Sequence, residues 1–550
     1  TVGTVGSVSI SATIAVTASA VATFNSTFYV AGEETANEAT YSAAGAVSIA
    51  NVSSADGSFA IIAGEQDYND GAGVTSNQPS GDFITGGSVV FTDGVGGATL
   101  TLITNNPNVG VSGTETFALA FTSPNHALIT QFDGSATSSG SFDIQSAIAP
   151  PVSTGFAFSA SGADSSGAPT AQAGVFLLDA SSNLTGTVDT NDAGTVTLAT
   201  AFPVAPATVT LGGTDSLGRG AVTGSITGTT ALNYYVVGPE VLRIINVDTT
   251  DTAVGSAYGQ GAATGLFTAA SIGTSAFLVA GNDVGVYAAA GQFNTDGVSA
   301  FSGVLDENES VLGADVPVQA AAFTGTYTLA PGGNGLLTFT SATTNSVALL
   351  GVYAVDPTLN ILDPNNPTGG GGALIAELDS LVGVGALIPQ SVTTFGLAGP
   401  FTFGASGTGT AQVTSFDEFD FLGEATIAGG DFFTIGGSTS NAAFLSDPLG
   451  SLTGTVGVTD QLATFNTFFT DDGGGVGRSV TADFFVGDAS VPPLFTPPPA
   501  LLVTAYEANA GQAFWIDVDP LTDVFGGSLQ ANIGPAPFFA KRAQAKNKKH

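Results

Sequence analysis

Two residue types are missing altogether from this 550-residue chain: it has no cysteine and no methionine. Without cysteine there is no disulfide, no thiol nucleophile and no thiolate metal site. Basic residues are nearly as scarce. There are eight against 45 acidic ones, and five of the eight (Lys541, Arg542, Lys546, Lys548 and Lys549) fall in the last ten positions. The body keeps only Arg219, Arg243 and Arg478, so it offers no basic patch to nucleic acid or to an anionic membrane. No apolar run reaches the ~18–20 residues of a membrane-spanning helix, so no transmembrane span is expected. The mean hydropathy of +0.35 therefore reflects short, dispersed apolar segments. Helical periodicity is almost absent, and only stretches such as Ala373 to Gly385 read either way. The missing methionine, at position 1 included, and the near-absence of lysine predict an exported bacterial protein. A leader removed ahead of position 1 and a place outside the cell or on the cell surface are part of that expectation.

What the chain does have is glycine, 75 residues of it, and short runs rich in Val, Thr, Ile and Phe broken by Gly, Asp and Asn. That mixture predicts an all-β protein. Markers recur in a fixed order, which is the signature of tandem modules. Gly-x-x-Asp-x-Asn occurs at Gly64/Asp67/Asn69, Gly186/Asp189/Asn191 and Gly303/Asp306/Asn308, with the aspartates 122 and 117 residues apart. A Gly-x-Gly turn follows at Gly94/Gly96, Gly218/Gly220, Gly333/Gly335 and Gly475/Gly477. Apolar hairpins close the copies at Phe117 to Asp133, Leu232 to Asp248, Val347 to Asp363 and Leu501 to Asp519. In the fourth copy Phe444-Leu-Ser-Asp447 and Leu452-Thr-Gly-Thr-Val456 repeat Phe176 to Val188, but Gly457 and Thr459 replace the Asp and Asn.

These markers divide the chain into a β-prone, uncharged lead-in at 1–23, modules at 24–148, 153–265, 266–390 and 391–533, and a basic tail at 534–550. Ala149-Pro-Pro-Val152 stiffens the first linker. The third module carries the polar insert Asp363 to Gly372 and the fourth the proline-rich excursion Val491 to Pro499. Each module accommodates roughly eight strands of ordinary length. Sequential hairpins without a long crossover predict an up-and-down antiparallel β-barrel, whose closure removes exposed edges. A β-sandwich is the alternative for the same composition.

The order Gly174-x-Phe176-x-x-Asp179, Gly186-x-x-Asp189-x-Asn191, Gly218-Arg219-Gly220, Tyr234-Tyr235, Leu242, Ile244 and Asp248 resembles the lipocalin-like β-barrel repeats of bacterial secreted and cell-surface proteins. The resemblance is closest in the second module and faintest in the fourth. It implies a barrel fold and a surface location, and no particular activity.

Candidate chemistry is sparse. Apart from His550, the last residue, the chain has one histidine, His126, read as a solvated residue of the turn Ser123 to His126. Asp417, Glu418 and Asp420 form an acidic group of the kind a glycosidase uses, but nothing fixes a spacing across a cleft. The Asp/Asn clusters are the better site candidates. Asp67, Asn69 and Asp70, then Asp189, Asn191 and Asp192, then Asp306, Glu307 and Asn308 offer several oxygens to calcium. The competing reading makes them β-turn residues that bond their own backbone, with glycine supplying a positive φ. No twelve-residue loop with a closing glutamate is present, so turn capping is preferred and no cofactor is expected. Gly218-Arg219-Gly220 lacks the following helix of a dinucleotide site and reads as a tight turn or bulge.

The sequence thus predicts a non-enzymatic, exported structural protein, the subunit of a filament, surface layer or adhesive stalk. Copies would join head to tail as a homopolymer, with the 1–23 segment as a donor strand and a glycan or cell-envelope contact as a further partner. The alternatives are a surface protein holding a small ligand inside one barrel, and a secreted carbohydrate-active enzyme.

Overall fold

A computed structural model of the chain describes residues 23–409 except for connecting stretches of seven residues or fewer. Beyond them it describes the strands 417–428, 432–434, 442–443, 470–471, 478–484, 501–509, 512–517 and 523–531, with Gly511. The described residues are almost entirely strands, with two three-residue 3-10 turns at 261–263 and 269–271 and no α-helix. The ambiguous stretch at 373–385 resolves into strand Ala373–Glu377 and the start of strand Val382–Pro389.

Three closed eight-stranded antiparallel barrels follow one another. Barrel 1 is built from strands Thr23–Glu34, Thr40–Ala50, Phe59–Asn69, Asp82–Phe91, Gly97–Thr104, Thr114–Ser123, His126–Gln131 and Ala136–Ile144. Each strand pairs with the next in sequence, and the first also pairs with the last, which closes an up-and-down meander. Barrel 2, from Thr154 to Gly259, and barrel 3, from Ser275 to Pro389, repeat that order. In each barrel one extra strand (74–75, 195–202 or 314–315) pairs with the third strand outside the ring. A fourth sheet, from 399 to 531, runs in the order 432–434, 417–428, 399–409, 523–531, 512–517, 501–509, 478–484, 470–471. Where four barrels were expected, the described residues thus form three closed barrels and one open sheet. Except for Thr23, which begins the first strand, the lead-in lies outside the described residues, as do the basic tail, Gly457 and Thr459.

A dipeptide explains how the barrels both fill and face one another. Ala44-Gly45, Ala173-Gly174 and Ala290-Gly291 occupy the same place on the second strand of each barrel, and each glycine pairs with a phenylalanine on the first strand: Phe28, Phe158 or Phe277. A Cβ at Gly45, Gly174 or Gly291 would sit 2.6, 2.9 or 2.7 Å from that ring, so glycine makes room for the aromatic inside. Strand side chains alternate, so the preceding alanine points out of the barrel. Alanine there leaves the outer wall flat enough for another barrel to approach. In the fourth sheet Phe403 pairs with Gly423, which puts Leu422 in the place of that alanine.

Candidate functional site

The Asp/Asn pairs lie on that flat wall and not in turns. Asp67, Asp189 and Asp306 sit on the third strands, paired with Ala44, Ala173 and Ala290 respectively. Val188, Asp189, Thr190 and Asn191 alternate in and out, so Asp and Asn share the outer face, where the next module covers them.

Between barrels 1 and 2, Asp67 accepts Arg219 Nε at 2.9 Å and Nη2 at 2.8 Å, Asn233 Nδ2 at 3.0 Å and the Tyr235 hydroxyl at 2.8 Å. Burial by itself lowers the Arg219 pKa, and the hydrogen bonding to Asp67 together with the neighbouring Tyr235, Asp67 and Glu65 charges more than reverses this, so the guanidinium stays charged. Asn69 Nδ2 donates to the carbonyls of Asn246 and Asp251 at 3.0 and 2.8 Å. Its Oδ1 accepts Gly71 N at 3.0 Å, so it caps its own turn as well. Gly71 has a φ of 70°, which glycine adopts without strain. Asp70 follows the strand end, half-buried.

Barrel 2 meets barrel 3 in the same manner. The Tyr353 hydroxyl donates to Asp189 at 2.6 Å, and Asn191 Nδ2 donates to the carbonyls of Glu377, Asp379 and Leu381 at 3.0, 3.1 and 2.5 Å. Asp192, at the strand end, is exposed. Barrel 3 meets the fourth sheet through Tyr506, whose hydroxyl reaches Asp306 at 2.6 Å, and through Asn308 and Asp517 at 3.3 Å. Apolar clusters surround each junction: Ala44 with Tyr235, Ala173 with Tyr353, Ala290 with Tyr506.

The fourth sheet then packs on barrel 1, so the modules close into a ring within one chain. This seam uses the same pair of faces with the bulk transposed. Leu422 stands where the other modules have alanine, and it packs against Ala118 and Ala120. Ala120 occupies the register position of Tyr235: the two pair with Gly97 and Arg219 at the corresponding places of their barrels. Thr137 Oγ1 donates to Asp420 at 3.3 Å and Thr402 Oγ1 to the Phe121 carbonyl at 3.1 Å. From the third module's insert, Asn365 reaches the Ile144 carbonyl at 2.8 Å, at the end of barrel 1.

His126 departs from the sequence expectation. It is buried on a strand, 2.8 Å from Asp143 Oδ1, and Asp143 Oδ2 accepts Arg243 Nη2 at 2.7 Å from barrel 2. Burial would push the Asp143 carboxyl up, but Arg243 and then His126 bring it well below the usual carboxylate range. Arg243 also donates to Ser256 and lies 4.8 Å over the Tyr29 ring, so this group cements the junction of barrels 1 and 2. In the acidic group, Asp420 is buried at the seam. Among the described residues no cluster of three or more His, Asp or Glu is placed to hold a metal ion.

Inside the barrels the modules differ. Barrel 1 is filled by Phe28, Phe59, Phe91, Phe117, Phe121 and Phe142 with Tyr41 and Tyr68, and barrel 3 by five phenylalanines with Tyr287 and Tyr327. The barrel 2 core cluster has four phenylalanines and Tyr234. It leaves a cavity of about 50 Å³, bordered by Phe158, Ala160, Phe176, Leu242, Asn246 and Ala253 among others. No short-range sequence pattern marks it.

Fold and site together define a chain of β-barrels locked side by side, with a cavity inside the second. No family model matches the chain, and no curated protein matches it. Among solved structures it is similar to the vaccine antigen Transferrin Binding Protein B, a double mutant from Haemophilus parasuis Hp5. That match has 10% identity, covers 75% of this chain and 83% of that chain, and has a TM-score of 0.18, a level at which the likeness carries no argument.

Proposed function

We propose that this is an exported surface protein in which the ring of modules is a rigid scaffold and barrel 2 holds a small apolar molecule. The observation that carries the reading is the cavity inside barrel 2, between two barrels packed with aromatic side chains. Its volume is several times what one water needs, and its walls are mostly Phe, Leu, Ile, Val and Ala. A concave apolar space with a few polar groups is the ordinary form of a small-ligand site. Export and surface location rest on composition: no cysteine or methionine, and three basic residues in the body.

A head-to-tail polymer is the second reading, favoured by one observation: every junction joins unlike faces, the geometry that propagates into filaments when it does not close. In this chain the fourth sheet already covers the free face of barrel 1, so a polymer has to open that seam. The reading of barrel 2 is tested by ligand-detected NMR with toluene on the full chain and on the variant Ala253→Leu. Binding to the parent and its loss in a folded variant is expected. Binding unchanged in the variant, or absent from the parent, overturns the reading.

A further inference from the structure

The barrel 2 interior differs from the other two at a few register positions, and those on the cavity wall say what fits it. Counting from the paired Ala and Asp of each module, Tyr41 in barrel 1 corresponds to Thr170 in barrel 2 and Tyr287 in barrel 3. By the same count Tyr68 corresponds to Thr190 and Glu307. From the closing hairpin, Gln131 corresponds to Asn246 and Glu377. Ser138, opposite Gln131, corresponds to Ala253.

In barrel 1 this end of the interior is a tyrosine plug. Tyr41 is fully buried, stacks on Tyr68 with ring centroids 5.3 Å apart, and its hydroxyl donates to Gln131 and lies 2.7 Å from Ser138 Oγ. Barrel 3 buries Tyr287, Glu307 and Glu377 at the same positions. Barrel 2 has two threonines where the rings would be, neither of them on the cavity wall, and puts Gln172 on that wall where barrels 1 and 3 have the core alanines Ala43 and Ala289. The wall also carries Asn246 and Ala253, the counterparts of the two groups that hold the Tyr41 hydroxyl. The wall thus keeps an amide, Asn246, at the register position of the Gln131 that accepts the Tyr41 hydroxyl in barrel 1.

We infer that barrel 2 takes a small neutral molecule carrying one hydroxyl on a compact apolar body, an alcohol or a phenol, with the hydroxyl at Asn246. Asn246 keeps an amide there: its Oδ1 accepts Asp248 N at 2.9 Å, while its Nδ2 has only a long 3.5 Å contact to Asp251. Gln172, on the cavity wall, is a second polar group in reach of the space. Anions are excluded by charge. No Lys or Arg lines the cavity, Arg219 and Arg243 are committed to Asp67 and Asp143, and the carboxylates of Asp248 and Asp251 lie next to Asn246. An ionised carboxylate would lose its hydration there with no partner to replace it.

The inference rests on the ligand reading of barrel 2, and the experiment separates the two. Binding of phenol, of the smaller isobutanol, of toluene and of benzoate is measured by ligand-detected NMR on the full chain. Toluene has the shape of phenol with a methyl in place of the hydroxyl. Phenol or isobutanol binding several-fold to tenfold tighter than toluene, the worth of one hydrogen bond, with benzoate unbound, supports the inference. Thr170→Tyr restores the plug and is expected to abolish binding. Ala160→Val, which restores the smaller difference from Val30 of barrel 1, is expected to weaken it if Thr170→Tyr does not fold. Toluene binding as tightly as both alcohols, or benzoate binding, overturns the hydroxyl assignment and leaves the apolar site standing. No binding by any probe overturns both.

Discussion

The Tyr235 hydroxyl donates to Asp67 at 2.8 Å from 168 residues away, and the same bond recurs as Tyr353 to Asp189 and Tyr506 to Asp306. A phenol and a carboxylate thus mark three junctions, and around the first lies a bidentate Arg219. Buried in this way, Asp67 stabilises the junction only while its partners are present. Asp67→Ala takes away the carboxylate that holds two nitrogens of the buried Arg219 guanidinium, and breaking a buried pair from one side costs about 3–5 kcal/mol. Chemical denaturation of the variant is expected to show that loss at the first junction. A loss under about 1 kcal/mol would mean that Arg219 reaches water when Asp67 is removed.

The dependence of stability on pH follows from buried carboxyls of the opposite kind. Burial, then Asp215, pushes the Glu65 carboxyl up to about 8, and burial, then Glu309 and Asp379, raises Glu307 to about 7. A carboxyl whose folded pKa lies above its unfolded value stabilises the fold when protonated. That contribution is complete below the unfolded pKa near 4.5 and is lost as pH rises through 7 to 8. Asp143 has the other sign, with its contribution present above 3.8 and lost only in strong acid. Melting temperature is therefore expected to be higher at pH 5 than at pH 8.5, and Glu307→Gln is expected to flatten that difference. An equal or higher value at pH 8.5 would contradict the assignment.

Calcium at the Asp/Asn clusters has its own test. Asp67 and Asp189 already accept hydrogen bonds from the next module, and Asn69 and Asn191 donate to it. Chelator is expected to leave the melting temperature unchanged. A fall of several degrees, reversed by added calcium, would show that the ion stabilises the fold by binding it.

The all-β architecture was legible because its signals are local: short alternating runs, turn glycines and markers in a repeated order. The Asp/Asn motif was legible as a repeat, and the turn reading holds for its asparagines, since Asn69 and Asn191 accept Gly71 N and Gly194 N. It does not hold for Asp67 and Asp189, which lie within the strand, as the alternation of Val188-Asp-Thr-Asn191 already suggests. Its role was not legible, because its partner tyrosine lies on another module and no short-range pattern links them. His126 was misread for the same reason: its neighbour Asp143 is brought up by the next strand and fixed by Arg243 of barrel 2. The polar wall of the cavity is visible only by comparing Gln131, Asn246 and Glu377 at one register position, and strand pairing is what supplies that register.

Closure of the ring is the claim on which the scaffold stands, and the contact of Ala120 with Leu422 is its most direct test. The chain has no native cysteine, so Ala120→Cys with Leu422→Cys introduces one pair of thiols. Mild oxidation at low protein concentration, read on a non-reducing gel, is expected to give a compact cross-linked monomer that reverts on reduction. A ladder of cross-linked multimers in its place would show that barrel 1 of one chain meets the fourth sheet of another, and would contradict the ring.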